Sequence, residues 1–277
     1  MDILQAIILG LLQGLSEFIP ISSTAHVTIA GQLFGLINAE HPEHWTAFLA
    51  VVQLGTLAAV LIYFSKDIRT IPVAFIKENL SSKKQSFKNQ SHESKMGWYI
   101  ILGSIPIATI GLALKDFIEG SFTKELTVIG ISLIALAIIL FIAEKTAKFK
   151  KDIEKVTWVD ALIVGFAQCL ALIPGASRSG TTITAGLFSG LKRDTAARFS
   201  FLLSIPAVFG SGLLEFYQSL EYITSDELLT LSIAIIVSAI SGYASIAFLL
   251  KFLKTRSTLI FVIYRIVLGV LILLFMI

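Results

Sequence analysis

Long apolar runs alternate along this chain with polar breaks of two kinds. Six runs, near 45–64, 97–114, 126–143, 199–217, 228–250 and 258–277, approach the roughly 20 apolar residues that a membrane-crossing helix needs. Two further apolar regions are interrupted. Around residues 1–36 the arms 3–15 and 27–37 flank a polar break, and around 156–198 the arm 183–191 follows another. Arms this short, with Gly and Pro between them, predict broken helices that turn round inside the protein as re-entrant pairs. Trp45, Trp98 and Trp158 each open an apolar stretch, where an interfacial belt would put them.

The two breaks are related. The first reads Gln13-Gly14-Leu15-Ser16-Glu17-Phe18-Ile19-Pro20-Ile21-Ser22-Ser23-Thr24-Ala25-His26, and the second runs from Gln168 through Pro174-Gly175-Ala176-Ser177-Arg178-Ser179-Gly180-Thr181-Thr182. The same 155 residues separate Gln13 from Gln168 and Gly31 from Gly186. An acid, a histidine, an arginine and many hydroxyls within lipid-embedded sequence are costly, which marks them as functional.

Composition fixes the class. Hydrophobic residues make up 55% of the chain and charged residues 15%, against about 25% charged in soluble domains, so an all-α integral membrane protein is expected. The net charge of +3 points to no nucleic acid. Cys169 is the only cysteine, which excludes an internal disulfide and suits a small packing residue. The start of the chain lacks a basic n-region and a cleavage site and reads as mature sequence. Lys and Arg crowd 65–95, 144–155 and 251–256 but are absent from 37–44 and 218–227. The first three segments are therefore expected in the cytoplasm and the last two outside. Alternation then requires residues 1–36 to enter and leave from outside and 156–198 from inside. Each half carries one re-entrant pair and three spans, an odd number. The expected architecture is a single membrane domain, 1–277, in which repeat 1 (about 1–143) and repeat 2 (about 156–277) have inverted topology, with the working site where they meet. The lysine-rich stretch 77–95 reads as a solvated loop.

The chemistry divides between the halves. Pro174-Gly175 ends one helix, and Ser177, Arg178, Ser179 and Thr182 stand where the next begins. Unpaired amides, a positive dipole end, hydroxyls and a planar guanidinium together suit phosphate. The plainer alternative is a polar break whose Ser and Thr serve as N-caps. In the first half Gln13 and Glu17 share a helix face, followed by Ser22, Ser23, Thr24 and His26. Glu17, with Gln13 beside it, could ligate a divalent cation or act as a base. His26 could be a base or a nucleophile, with Ser23 the better hydroxyl nucleophile. Arg265, in the middle of the last span, needs an anion, either an acid such as Glu215 or the substrate. Arg193 and Arg198 fit snorkelling at the cytoplasmic edge.

On these residues the chain resembles the undecaprenyl-diphosphate phosphatase, or bacitracin-resistance protein, family. The first motif is carried by Gln13, Glu17 and the run Pro20 to His26, and the second by Pro174, Gly175, Ser177, Arg178, Ser179 and Thr182. The resemblance implies a multi-pass enzyme of the bacterial plasma membrane, facing the outer side. It would hydrolyse undecaprenyl diphosphate to the monophosphate with help from a divalent cation, magnesium or calcium, and so recycle the lipid carrier of peptidoglycan synthesis. It leaves room for a homodimer. Some members have Glu where this chain has Gln13, a weaker metal ligand. The rival readings are a polyprenyl-phosphate flippase or anion transporter, since inverted repeats with half-helices are transporter architecture, and a non-catalytic lipid-binding protein.

Overall fold

The computed structural model describes residues 1–37, 42–81, 84–114, 125–223 and 225–276. Residues 38–41 of the expected outer loop, together with Lys83 and Ile277, lie outside them. The described elements are helical: α1 (Ile3–Phe18), α2 (Ser23–Leu33), α3 (Pro42–Tyr63), α4 (Ser65–Asn79), α5 (His92–Ala113), α6 (Leu126–Thr146), α7 (Trp158–Cys169), α8 (Arg178–Phe188), α9 (Arg193–Ser219), α10 (Leu228–Leu253) and α11 (Leu259–Phe275).

Among the described residues five helices are long and apolar enough to cross a membrane, namely α3, α5, α6, α9 and α10. The sixth expected span, 258–277, is represented by α11, an apolar helix of 17 residues. It rises about 25 Å, at the short end of what spans a bilayer. The segment 65–95 is more structured than its lysines suggest. It contains α4, whose first turn is fixed by Asp67 accepting from Arg198 at 2.7 Å. This helix buries Ile71 while Val73, Ile76 and Leu80 stay exposed. At its last residue, Asn79 receives the Gln90 amide at 2.8 Å and the Trp98 indole at 3.1 Å. The Ser91 amide, donating to Glu78 at 2.8 Å, holds that carboxyl below its ordinary range.

The short helices form pairs built alike. Helix α1 starts at Asp2, which exchanges hydrogen bonds with Gln5, and α7 starts at Thr157, which does the same with Asp160. Such reciprocal caps satisfy two orphan amides at each start. The chain enters α7 and leaves α8 at one place. The amides of Lys150 and Lys151 both donate to the Gly190 carbonyl, at 2.9 and 3.0 Å, and the Lys192 amide donates back to the Lys151 carbonyl at 3.0 Å.

Packing crosses between the halves. Helix α1 lies along α10, and α7 lies along α5. Small residues allow the approach: a Cβ on Gly165 of α7 would stand 2.3 Å from the Gly103 carbonyl oxygen of α5. Serines of α10 add bonds across the seam, Ser245 to the Leu15 carbonyl at 3.0 Å and Ser238 to the Val52 carbonyl at 3.1 Å. Lipid offers no hydrophobic drive between helices, so close small-residue contact and such bonds carry the association.

Candidate active site

Helix α1 ends because Ile19 turns extended before Pro20, and Glu17 sits on its last turn. One turn earlier, Gln13 donates its amide to Glu17 Oε2 at 2.9 Å. Ser23 Oγ donates to the same oxygen at 2.7 Å. Between them Ser22 caps α2, its hydroxyl accepting the Ala25 amide at 3.4 Å.

The second break is built on the same backbone. Ser177 caps α8, its hydroxyl accepting the Gly180 amide at 3.2 Å and lying 3.2 Å from Ser179 Oγ. Among the described residues the non-glycine residues with positive φ are Ser22 (74°), Phe149 (49°) and Ser177 (65°). The two caps thus share an uncommon conformation, and backbone strain of this kind is kept where the surroundings demand it.

The two breaks meet. Arg178 Nη2 forms an ion pair with Glu17 Oε1 across 161 residues of sequence. Ser179 Oγ donates to the Ile19 carbonyl at 3.3 Å. Glu17 is 7% exposed at its side chain and Arg178 20%, so loss of either partner would leave a charge stranded in a low-dielectric interior.

Helix α11 supplies two further groups. His26 Nδ1 lies 2.7 Å from the Ser22 carbonyl, so in the neutral ring this nitrogen carries the proton. Nε2 is then the acceptor and takes the Tyr264 hydroxyl at 2.5 Å. The rings stack with centroids 5.5 Å apart and planes 7° from parallel. The next residue, Arg265, is fully buried and donates Nη2 to the Ala176 carbonyl at 2.9 Å.

The structure therefore gathers Gln13, Glu17, Ser23 and Arg178 into one contact set, with Ser177 and Ser179 beside it. His26 joins through Ser22 and is not bonded to Ser23. Thr24 is exposed at the start of α2. Thr182 is fully buried, its hydroxyl donating to the Arg178 carbonyl at 2.7 Å and bonding Ser200 Oγ at 2.5 Å, so it faces α9. For Arg265, expected to meet either an acid or the substrate, the partner is a backbone carbonyl, and among the described residues it pairs with no acid. The two arginines expected to snorkel are paired: Arg193 donates Nε to Glu144 at 2.8 Å and lies over the Phe149 ring, and Arg198 holds Asp67. Sequence reasoning missed Tyr264, whose one available signal was its place beside a mid-helix arginine.

Among the described residues no three His, Cys, Asp or Glu side chains gather as a metal site. Glu17 is the one carboxylate in the contact set. A cation of the magnesium type is commonly held by one or two carboxylates plus substrate phosphate oxygens, and a single buried, inward-facing glutamate fits that mode.

The family described as bacitracin resistance protein BacA matches residues 6–271 of the chain. A protein named undecaprenyl-diphosphatase from Syntrophobacter fumaroxidans is 61% identical over 269 residues, covering 97% of this chain and 95% of its own. Proteins of the same name from Myxococcus xanthus and Chlorobaculum parvum are each 49% identical, covering 99% and 98% of this chain and 89% and 95% of their own.

Proposed function

The chain belongs to the bacitracin resistance protein family, and on that premise we propose that it is an undecaprenyl-diphosphatase, a hydrolase that releases inorganic phosphate from undecaprenyl diphosphate and returns the lipid monophosphate to peptidoglycan synthesis. The observation that carries the reading is the set Ser23–Glu17–Arg178, a hydroxyl, a carboxylate and a guanidinium in direct contact. Ser23 Oγ attacks the terminal phosphorus while Glu17 takes its proton. The bond from that phosphorus to the bridging oxygen breaks, and undecaprenyl phosphate departs with the electron pair. Water then hydrolyses the phosphoserine, freeing phosphate and restoring the hydroxyl. Arg178 exchanges Glu17 for the phosphoryl oxygens and, with Ser177, Ser179 and the amides that open α8, offsets their charge. His26 ties Ser22 and so fixes the cap from which Ser23 projects. Thr24 and Ser22 line the approach to the phosphate.

A divalent cation, magnesium or calcium, would be held by Glu17, with Gln13 beside it as a weaker ligand. When bound it neutralises phosphate charge. Hydrolysis is favoured over a flippase or anion carrier because translocation needs no hydroxyl held on a buried carboxylate.

The same reading treats the chain as two inverted repeats forming one membrane body, with α11 as the sixth span. The site opens to the outer face of a bacterial inner membrane. Matching caps, matching short helices and packing exchanged between halves support this arrangement. Cysteines placed at Ser86 and Lys148, in a Cys169→Ser background, should resist a membrane-impermeant thiol reagent in intact cells, while one at Glu221 should label. Labelling at Ser86 without lysis would overturn the arrangement.

The decisive experiment on function is phosphate release from undecaprenyl diphosphate by the purified protein. Wild type should turn over and Ser23→Ala should fall to background. A Ser23→Ala protein that kept its rate would assign the attack to water, and a silent wild type would sink the hydrolase reading.

A further inference from the structure

Arg265 is the largest fully buried side chain of the described residues, and two of its three nitrogens, Nε and Nη1, have no hydrogen-bond partner. An unpaired guanidinium inside a membrane protein is costly and is retained where it meets an anion. Its surroundings show where that anion would sit. Nη2 holds the Ala176 carbonyl, immediately before the cap of α8. Nη1 lies against the first turn of the same helix, since a Cβ on Gly180 would stand 2.5 Å from it. That helix start leaves the amides of Arg178 and Ser179 without an intrahelical acceptor, with Ser177 and Ser179 hydroxyls 3.2 Å apart beside them. Residues 178 and 180 lie about 200° apart around a helix, so the two arginines flank the N-terminus of α8 from opposite sides. Arg178 is already engaged by Glu17, whereas among the described residues Arg265 has no carboxylate.

We propose that Arg265 is a second cationic ligand for the substrate's diphosphate, giving Nη1 to a phosphate oxygen held at the N-terminus of α8 opposite Arg178. The role rests on the diphosphatase reading for its substrate, while the anion site itself does not. Gly180 belongs to it: the missing side chain is the space the guanidinium occupies. A planar guanidinium can hold the Ala176 carbonyl with Nη2 and the phosphate with Nη1 at once, a fixed geometry that an ammonium does not offer.

Inorganic pyrophosphate serves as the probe. Purified wild type in detergent should be stabilised against heat in a dose-dependent way. The same protein should show competitive inhibition of phosphate release by pyrophosphate. Arg265→Lys should raise the half-effective pyrophosphate concentration and the KM by about tenfold or more, the scale of losing a hydrogen bond to a charged group. Gly180→Ala should move both in the same direction, because it displaces Nη1 while keeping the charge and the Glu17–Arg178 pair. It decides the matter if Arg265→Lys does not fold. Folded variants with pyrophosphate affinity within twofold of wild type would overturn the proposal and leave Arg265 as a prop for the Ala176 turn. A wild type that binds pyrophosphate through Arg265 yet releases no phosphate would keep the anion site and remove the diphosphatase reading.

Discussion

The two broken-helix units are the same backbone doing different chemistry. Helices α2 and α8 start and end 155 residues apart, each opens on a serine with positive φ, and each closes at a glycine of positive φ, Gly35 and Gly190. At the same offset, however, Glu17 corresponds to Leu172, Ser23 to Arg178 and His26 to Thr181. The first unit keeps the acid and the hydroxyl, the second keeps the cation. A helix start is intrinsically anion-friendly, and the second unit reinforces it with arginine. The first unit instead places a carboxylate on the preceding turn, where it is tolerable only because Arg178 comes from the other unit. Each charge is buried and is offset by the other, so dividing the charge between the two units joins the halves at the site.

The division is broken most severely at the acid. Glu17→Gln should lower phosphate release by about 100-fold or more, the scale of losing a positioned base, whereas the equivalent Leu172→Met should change it little. A Glu17→Gln enzyme with ordinary turnover would dissolve the asymmetry. Chelation probes the same side. Removing divalent cations should abolish most activity, and added magnesium should restore it in wild type and not in Glu17→Gln. Cation-independent turnover would take the metal out of the first unit. On the cationic side Arg178→Lys should cost roughly 10- to 100-fold, because an ammonium keeps charge but not the bidentate geometry. The histidine network should matter less. His26→Ala is expected to slow turnover by about tenfold or more and Tyr264→Phe by less, since the latter keeps the stack and loses one hydrogen bond. Equal effects from both would mean that the hydroxyl, and not the ring, is what the site needs. The smallest effect tests the sameness of the backbones. Ser22→Gly and Ser177→Gly each relieve a non-glycine residue at positive φ and lose a cap, opposing terms of about 1 kcal/mol and a few tenths. Their melting temperatures in detergent should therefore shift alike, and a shift at one position only would mean the two turns are strained differently.

Much of this was legible before the structure. The repeat offset, the polar breaks, the short arms and the pairing of Glu17 with the neighbourhood of Arg178 follow from the cost of charge in lipid, which forces such residues together. What was not legible depends on the direction of single side chains. Thr181 and Thr182 are neighbours on a short helix, and sequence does not say which of them turns to Ser200. Tyr264 is one aromatic ring in an apolar helix and carries no periodic signal. Arg265 was expected to meet an acid or the substrate, and its bond to the Ala176 carbonyl could not be read because a backbone carbonyl has no letter. Helix α4 was hidden by its lysines and by Pro72, although Ile68, Ile71 and Phe75 recur at helical spacing. The sixth span was read from hydropathy alone, and its helix is shorter than that reading.

The lie of α1 along α10 has a bearing on how the protein is made. Synthesis delivers Gln13, Ser16 and Glu17 first, the guanidinium that neutralises Glu17 comes 161 residues later, and the serine-lined wall of α10 comes later still. At about 5–20 residues per second, roughly 10 to 30 s pass in which the nascent helix carries a carboxylate with no counter-charge. The first polar segment must spend that interval outside the lipid core, at the membrane surface or inside the insertion machinery. Its final placement waits on Arg178 and α10, although it leaves the ribosome before either of them.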